Sequence, residues 1–170
     1  MTKLASLTHS TPNPFATPLP QCKNFTGQVD EFLSTLKAAN FSGDIWLDVE
    51  GQQYWTDDCA TNLESLETLL TLLVSATAVH QIGVYASEHS WLDLMCGMYT
   101  PFSDLVNLWY PHYDNNYAFS DWHGYGHIIG YGGTGYGGWH RPHMKQYVGS
   151  YSGACNAGVD ISSIHGVGFH

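Results

Sequence analysis

The chain is short of charge. Of its 170 residues only 12% are Asp, Glu, Lys or Arg, about half the usual share. Cations are scarcer still: five Lys and Arg stand against fifteen Asp and Glu, a formal net charge of −10. So few cations exclude a nucleic-acid binder, which needs them to neutralise phosphates. The same balance repels anionic membrane surfaces. No window holds the roughly 18 to 20 apolar residues of a membrane span. Residues 1–20 lack the apolar core of a signal peptide. No Gly-x-Ser-x-Gly elbow is present, so a Ser nucleophile of that type is excluded. The glycines of residues 131–139 are not followed by Gly-Lys-Ser/Thr, so they form no phosphate loop. No internal repeat is visible.

What is present is apolar and aromatic. Hydrophobic residues make up 44% and aromatics 14%, enough for the core of one domain. Ten His bring the formal charge to about zero when all are protonated, so the surface changes character between pH 7 and pH 5. Cys22, Cys59, Cys96 and Cys155 read as disulfide partners rather than nucleophiles. They allow three pairings, and the sequence does not choose among them. With the sequons at Asn24-Phe25-Thr26 and Asn40-Phe41-Ser42, they fit a secretory-pathway protein.

Residues 1–25, rich in Thr, Ser and Pro, read as an extended or disordered lead-in. Residues 26–170 form the domain. Val29, Phe32, Leu33 and Leu36 make one helical stripe. Ile45 to Glu50 read as a strand closed by Gly51. Thr61-Asn62-Leu63-Glu64 is a capping box for a helix whose apolar face is Leu63, Leu66, Leu69, Leu70, Leu73 and Val74. Further strands are expected at 81–86, 105–110, 144–148 and 158–161. A short helix is expected at 87–95, capped by Ser87 or Ser90. Residues 131–139 predict a flexible or tightly turning loop. This alternation predicts an α/β fold, with a parallel sheet or part of a (β/α) barrel. About five strands fall short of a full eight-stranded barrel.

Asp48 and Glu50 carry the chemistry. A strand alternates faces, so they share one with Trp46, while Ile45, Leu47 and Val49 take the other. Their Cα atoms are roughly 6.6 Å apart. Two carboxylates that close raise each other's cost of ionisation, so one can keep a proton near neutral pH. Glycoside hydrolysis needs that division of labour. The pair also sits at the C-terminal end of its strand, where barrel enzymes keep their sites. Tyr54, Trp55, Trp109, Tyr110 and Tyr113 follow as rings able to stack on sugars. His112 and Asp114 flank Tyr113 at another strand end. His123, His127, His140, His143, His165 and His170 invite a metal reading. Gly124 and Gly126 argue against a helix at His123-x3-His127, and no zinc-protease Glu is present. No metal or other cofactor is expected.

These residues carry a resemblance. Ile45 to Gly51, with Tyr54-Trp55 just after, resembles the Asp-x-Glu strand of glycoside hydrolase family 25, the Ch-type lysozymes or N-acetylmuramidases, and more specifically its eukaryotic branch. Ile82 to Ser87 is similar to that family's next strand. Leu108 to Asp114 is similar to its Leu-Trp-x-x-x-Tyr segment, and Lys145-Gln146-Tyr147 and Gly158-Val159-Asp160 to its last two strands. The resemblance spans about residues 20–162. It implies a partial or modified (β/α) TIM-like barrel that hydrolyses the β-1,4 bond between N-acetylmuramic acid and N-acetylglucosamine in bacterial peptidoglycan. Carried over by position, Glu50 is the general acid, Asp48 the neighbouring carboxylate that tunes it or orients the N-acetyl group, and Asp160 an acid on the floor of the site. Tyr54, Trp55, Tyr85, Trp109, Tyr113, Asp114 and Gln146 are the implied substrate contacts. The family's opening strand, Asp-x-Ser-x-x-Gln, has no counterpart before Asp48. The domain is therefore expected to be N-terminally incomplete, with residues 15–22 as the remains of a third strand. The expected partner is bacterial peptidoglycan, with no nucleic acid and no membrane. The expected state is a monomer, secreted or lysosomal, working at acidic pH. A catalytically inactive, sugar-binding remnant of the same fold is the alternative.

Overall fold

The computed structural model describes residues 15–16, 23–76, 81–124, 135–152 and 158–165. Among the described residues six strands and three α-helices follow one another: β1 (Phe15–Ala16), α1 (Phe25–Ala38), β2 (Ile45–Asp48), α2 (Cys59–Ala76), β3 (Ile82–Tyr85), α3 (Glu88–Met95), β4 (Asn107–Pro111), β5 (Met144–Ser152) and β6 (Gly158–Ile164). The strands form one six-stranded sheet in sequence order. β1 to β5 run parallel. β6 returns antiparallel to β5. A short connection leaves no room for the crossover that a parallel neighbour needs. The result is an α/β partial barrel, a curled sheet with helices on its outer face. No helix among the described residues is long and apolar enough to cross a membrane.

Register fixes which side chains share a face. Ile45 pairs with Ile82, Leu47 with Val84, and Val84 with Leu108. These point outward and are buried under the helices with Phe32, Leu36, Leu66, Leu70, Leu73 and Trp91. Each fully buried aliphatic chain of this kind contributes about 1.5–3 kcal/mol. Trp46, Asp48, Tyr85, Trp109 and Gln146 fall on the inner face, because Asp48 pairs with Tyr85, Tyr85 with Trp109, and Pro111 with Gln146.

Three local expectations shift. The second helix starts at Cys59, two residues before Thr61, because the Asp58 carboxylate accepts from the Thr61 amide at 2.6 Å and caps the first turn. Its buried face turns toward Asn62 and Ser65, leaving Val74 45% exposed. The strand expected at 105–110 begins at Asn107, since Leu105 closes a 3-10 turn and is 71% exposed. Ser87 is the cap of α3, accepting from the Ser90 amide. Phe15–Ala16, expected in the lead-in and as part of a remnant strand, pairs in parallel with Trp46–Leu47. The turning loop is seen in its described part, where Gly135, Gly137 and Gly138 all take positive φ. Cys59 and Cys96 form a disulfide that joins the start of α2 to the end of α3. Cys22 and Cys155 lie outside the described residues.

Candidate active site

Asp48 ends β2, and Glu50 follows it just beyond the strand. The chain is held there by two contacts. The Val49 amide donates to the Tyr85 carbonyl at 2.8 Å. The Trp55 indole donates to the Glu50 carbonyl at 3.1 Å. Gly51 then turns the chain in the left-handed region, at φ 68°. Asn62 anchors the rest of this loop. Its Oδ1 accepts from the Thr56 amide, and its Nδ2 donates to the carbonyls of Thr56 and Leu94. A buried Asn with these partners ties the loop after Glu50 to both α2 and α3.

Glu50 is half-buried. Burial pushes its carboxyl above the ordinary Glu value, because a low-dielectric site disfavours the charged form. Tyr85 lies close enough to feel both carboxylates. Its phenol is pushed up by burial, by a hydrogen bond with Tyr113 and by the charge of Glu50. The inner face beneath is aromatic. Trp109 packs edge-on against Trp46, with ring centroids 5.4 Å apart, and against Tyr85 at 5.2 Å. His143 lies over Trp46 at 6.3 Å. Trp46 covers Gly83, where a Cβ would come within 2.3 Å of the indole. The strand glycine is there to admit the ring. Tyr113 rests on Gly149 and is 56% exposed, so its ring offers a face to a ligand.

Gln146 and Asp160 close the floor. Gln146 Oε1 accepts from the hydroxyls of Tyr85 and Tyr113, and Nε2 donates to Asp160 Oδ2 at 2.8 Å. The second Asp160 oxygen accepts from the Ser150 amide at 2.8 Å. Ser150 takes φ 58° in a stretch where β5 bulges against β6, and bulges re-aim backbone groups in this way.

The structure thus brings Asp48, Glu50, Tyr85, Trp109, Tyr113, Gln146 and Asp160 to one face and one end of the sheet. Tyr54 lies on the loop beyond Glu50 and is 40% exposed. Two expected substrate contacts stand elsewhere. Trp55 is 3% exposed within the hydrophobic core; its ring has no free face, and it supports Glu50 from behind. Asp114 turns to the outer face, where its carboxylate meets the Lys145 ammonium at 2.8 Å. Lys145 is fully buried beside its register partner Tyr110 and also reaches Asp121 at 3.1 Å. Burial alone raises Asp114 and Asp121. For Asp114 the hydrogen bonds from Lys145 and the Asn116 amide and the charges of Lys145 and His112 together outweigh it, and for Asp121 the hydrogen bonds of His112, Lys145 and Tyr110 and the charge of Lys145 do, so both end below the ordinary Asp value.

His112, Asp114 and Asp121 are the group among the described residues whose ligand atoms lie within 4.8 Å of one another. The Lys145 ammonium already sits against both carboxylates. Of the histidines singled out by sequence, His143 stacks on Trp46 and His165 packs against Phe119. The His140 carbonyl accepts from the Trp122 indole. The His123 side chain, His127 and His170 lie outside what is described. Sequence reasoning passed over Gly83 and Ser150. A lone glycine inside a strand was the available signal for the first; nothing local marked the second.

Comparison with known proteins agrees with this fold. The profile of the lysozyme-like protein 1 family matches residues 5–147. A probable GH family 25 lysozyme 2 of Dictyostelium discoideum is 37% identical over 146 residues, covering 85% of this chain and 61% of that protein. Lysozyme-like protein 5 of Caenorhabditis elegans is 30% identical over 145 residues, covering 84% and 60%. The chain therefore spans about three fifths of the length of these two relatives. Among solved structures, a family GH25 lysozyme from Aspergillus fumigatus superposes with a TM-score of 0.64 at 15% identity, over 90% of this chain and 67% of that one. A muramidase from Acremonium alcalophilum superposes at 0.61 and 16% identity, with the same coverage. The family profile covers most of the sequence and the fold is that of the family's solved members, so the chain belongs to glycoside hydrolase family 25, in its eukaryotic, lysozyme-like branch.

Proposed function

We propose that the protein is an N-acetylmuramidase that hydrolyses the β-1,4 bond between N-acetylmuramic acid and N-acetylglucosamine in bacterial peptidoglycan. The observation that carries this reading is the half-buried Glu50 carboxyl, raised by burial, two residues beyond Asp48 at a strand's C-terminal end. A carboxyl held up in this way keeps its proton for the leaving oxygen, while a neighbour of lower affinity stays charged. Asp48 is the neighbouring carboxylate that tunes Glu50 or orients the N-acetyl group, and Asp160 is the acid on the floor. Tyr54, Trp109 and Tyr113 supply rings for the sugar. No resident cofactor enters the scheme. The Cys59–Cys96 disulfide supports a secreted or lysosomal setting, and we take the active form to be a monomer.

The test is digestion of peptidoglycan by the chain and by Glu50→Gln, with mass spectrometry of the released ends. Reducing ends on N-acetylmuramic acid, lost in the variant, support the reading. Release that survives Glu50→Gln refutes the assigned acid. A second reading is sugar binding without turnover. It is favoured by the aromatic inner face, which packs without help from the carboxyls. Binding of peptidoglycan fragments, unchanged by Glu50→Gln and without release, selects it.

A further inference from the structure

Gln146 is 5% exposed and sits in β5 on the inner face, in register with Pro111 at the end of β4. It contacts three elements of the site through three polar partners: Tyr85 of β3, Tyr113 of the loop after β4, and Asp160 of β6. The two ends of an amide are not interchangeable in such a place. An ionised carboxylate only accepts, so the NH2 end must face Asp160. The carbonyl end then meets both phenols and can only accept from them. The charge of one carboxylate thereby sets the direction of three hydrogen bonds.

We propose that Gln146 is a positioning residue rather than a sugar contact: it holds Asp160 as an acceptor-only carboxylate and turns the hydroxyls of Tyr85 and Tyr113 toward itself. Asp160 is held by two neutral donors, Gln146 Nε2 and the Ser150 amide, one on each oxygen. The titratable groups that share this end of the sheet are Tyr85 from β3, Tyr113 from the loop after β4, and Asp48 and Glu50 from the end of β2. None of these is a cation. The inner face therefore fixes its floor carboxylate with hydrogen bonds where the outer face uses an ammonium. A group of substrate meeting Asp160 must bring an N–H or O–H. The catalytic part of this inference rests on the muramidase reading; the hydrogen-bond part does not.

Gln146→Glu tests it. The variant keeps the shape and an acceptor for both phenols, but its second oxygen faces Asp160, and the two carboxyls must share a proton. Turnover of a peptidoglycan fragment and Tm are measured between about pH 4 and pH 8. At neutral pH kcat should fall at least about tenfold while KM stays within about threefold. Both the kcat deficit and the Tm deficit should shrink toward acidic pH, where the shared proton is retained. Adding Asp160→Asn to Gln146→Glu again sets one amide against one carboxylate. That double variant should recover the neutral-pH Tm without recovering turnover, and it can be prepared even if the single variant does not fold. A higher KM with unchanged kcat would make Gln146 a sugar contact and overturn the proposal. So would a Tm deficit equal at every pH and not repaired in the double variant, which is the behaviour of a packing residue. If the wild-type chain hydrolyses nothing, the muramidase reading fails, and the Tm measurements alone still decide whether Gln146 orders this network.

Discussion

The two faces of β4 and β5 hold carboxylates under opposite conditions. Outside, Asp114 and Asp121 share the buried Lys145 ammonium, with His112 at 2.7 Å from Asp121 and the Tyr110 hydroxyl beside it. Inside, Glu50 is half-buried, and among the described residues Asp160 has only neutral hydrogen-bond partners. Outer carboxylates are pushed below the ordinary value and inner Glu50 above it. A cation beside an acid makes its charge permanent, which suits structure. An acid buried without one can hold and release a proton near working pH, which suits catalysis.

The comparison breaks if exchanging the roles has no effect. The largest expected effect is on turnover: Glu50→Gln should lower it by about 10²–10⁴-fold, with no loss of stability at neutral pH, as a urea titration of both proteins checks. Next comes Lys145→Met, which strands two partly buried carboxylates and should cost about 3–5 kcal/mol in the same titration. Adding Asp121→Asn should return part of that. Gly83→Ala forces Trp46 off its strand. About 1–3 kcal/mol of destabilisation is expected, together with a raised KM if the inner face binds sugar.

The smallest effect is in pH dependence, and its sign separates the faces. The outer Asp pair has depressed folded values, so it contributes stability above the unfolded Asp range, and that is lost as pH falls through the folded values. Glu50 has a raised folded value. Its burial costs stability that appears as pH rises from the unfolded Glu value through the folded one, and is absent below. The Tm of Glu50→Gln should therefore exceed that of the wild type at neutral pH and converge with it in acid. Activity should fall as pH rises past the point where Glu50 loses its proton. An activity optimum above pH 7 would contradict this.

Periodicity made the scaffold legible. The stripe of Val29, Phe32 and Leu36 and the alternation around Ile45, Leu47 and Val49 placed α1 and β2 close to where they stand, because burial on one face writes itself into spacing. The same logic exposed Asp48 and Glu50 as charges breaking an apolar strand. Lys145 stayed hidden, since a lysine in a strand reads as a solvated position. Its partners lie 31 and 24 residues away, a distance no local pattern spans. Asp114 was misplaced for the same reason. Trp55 was chosen by residue type, yet a ring beside a catalytic strand can serve as a wall as readily as a platform, and only packing decides. The capping box at Thr61 gave way to Asp58, whose carboxylate accepts from the Thr61 amide and so starts the helix two residues earlier.

The site is stitched from pieces with different histories during folding. Gln146, Ser150 and Asp160 belong to adjacent antiparallel strands, a local pairing of the kind that closes within microseconds. Asp48, Tyr85 and Trp109 meet only after the chain has passed through two helical crossovers, which is a slower, non-local search. The floor of the cleft can therefore exist as an ordered piece before its acid arrives. In refolding, fluorescence of Trp46 and Trp109 should lag behind protection of the β5 and β6 amides from hydrogen exchange.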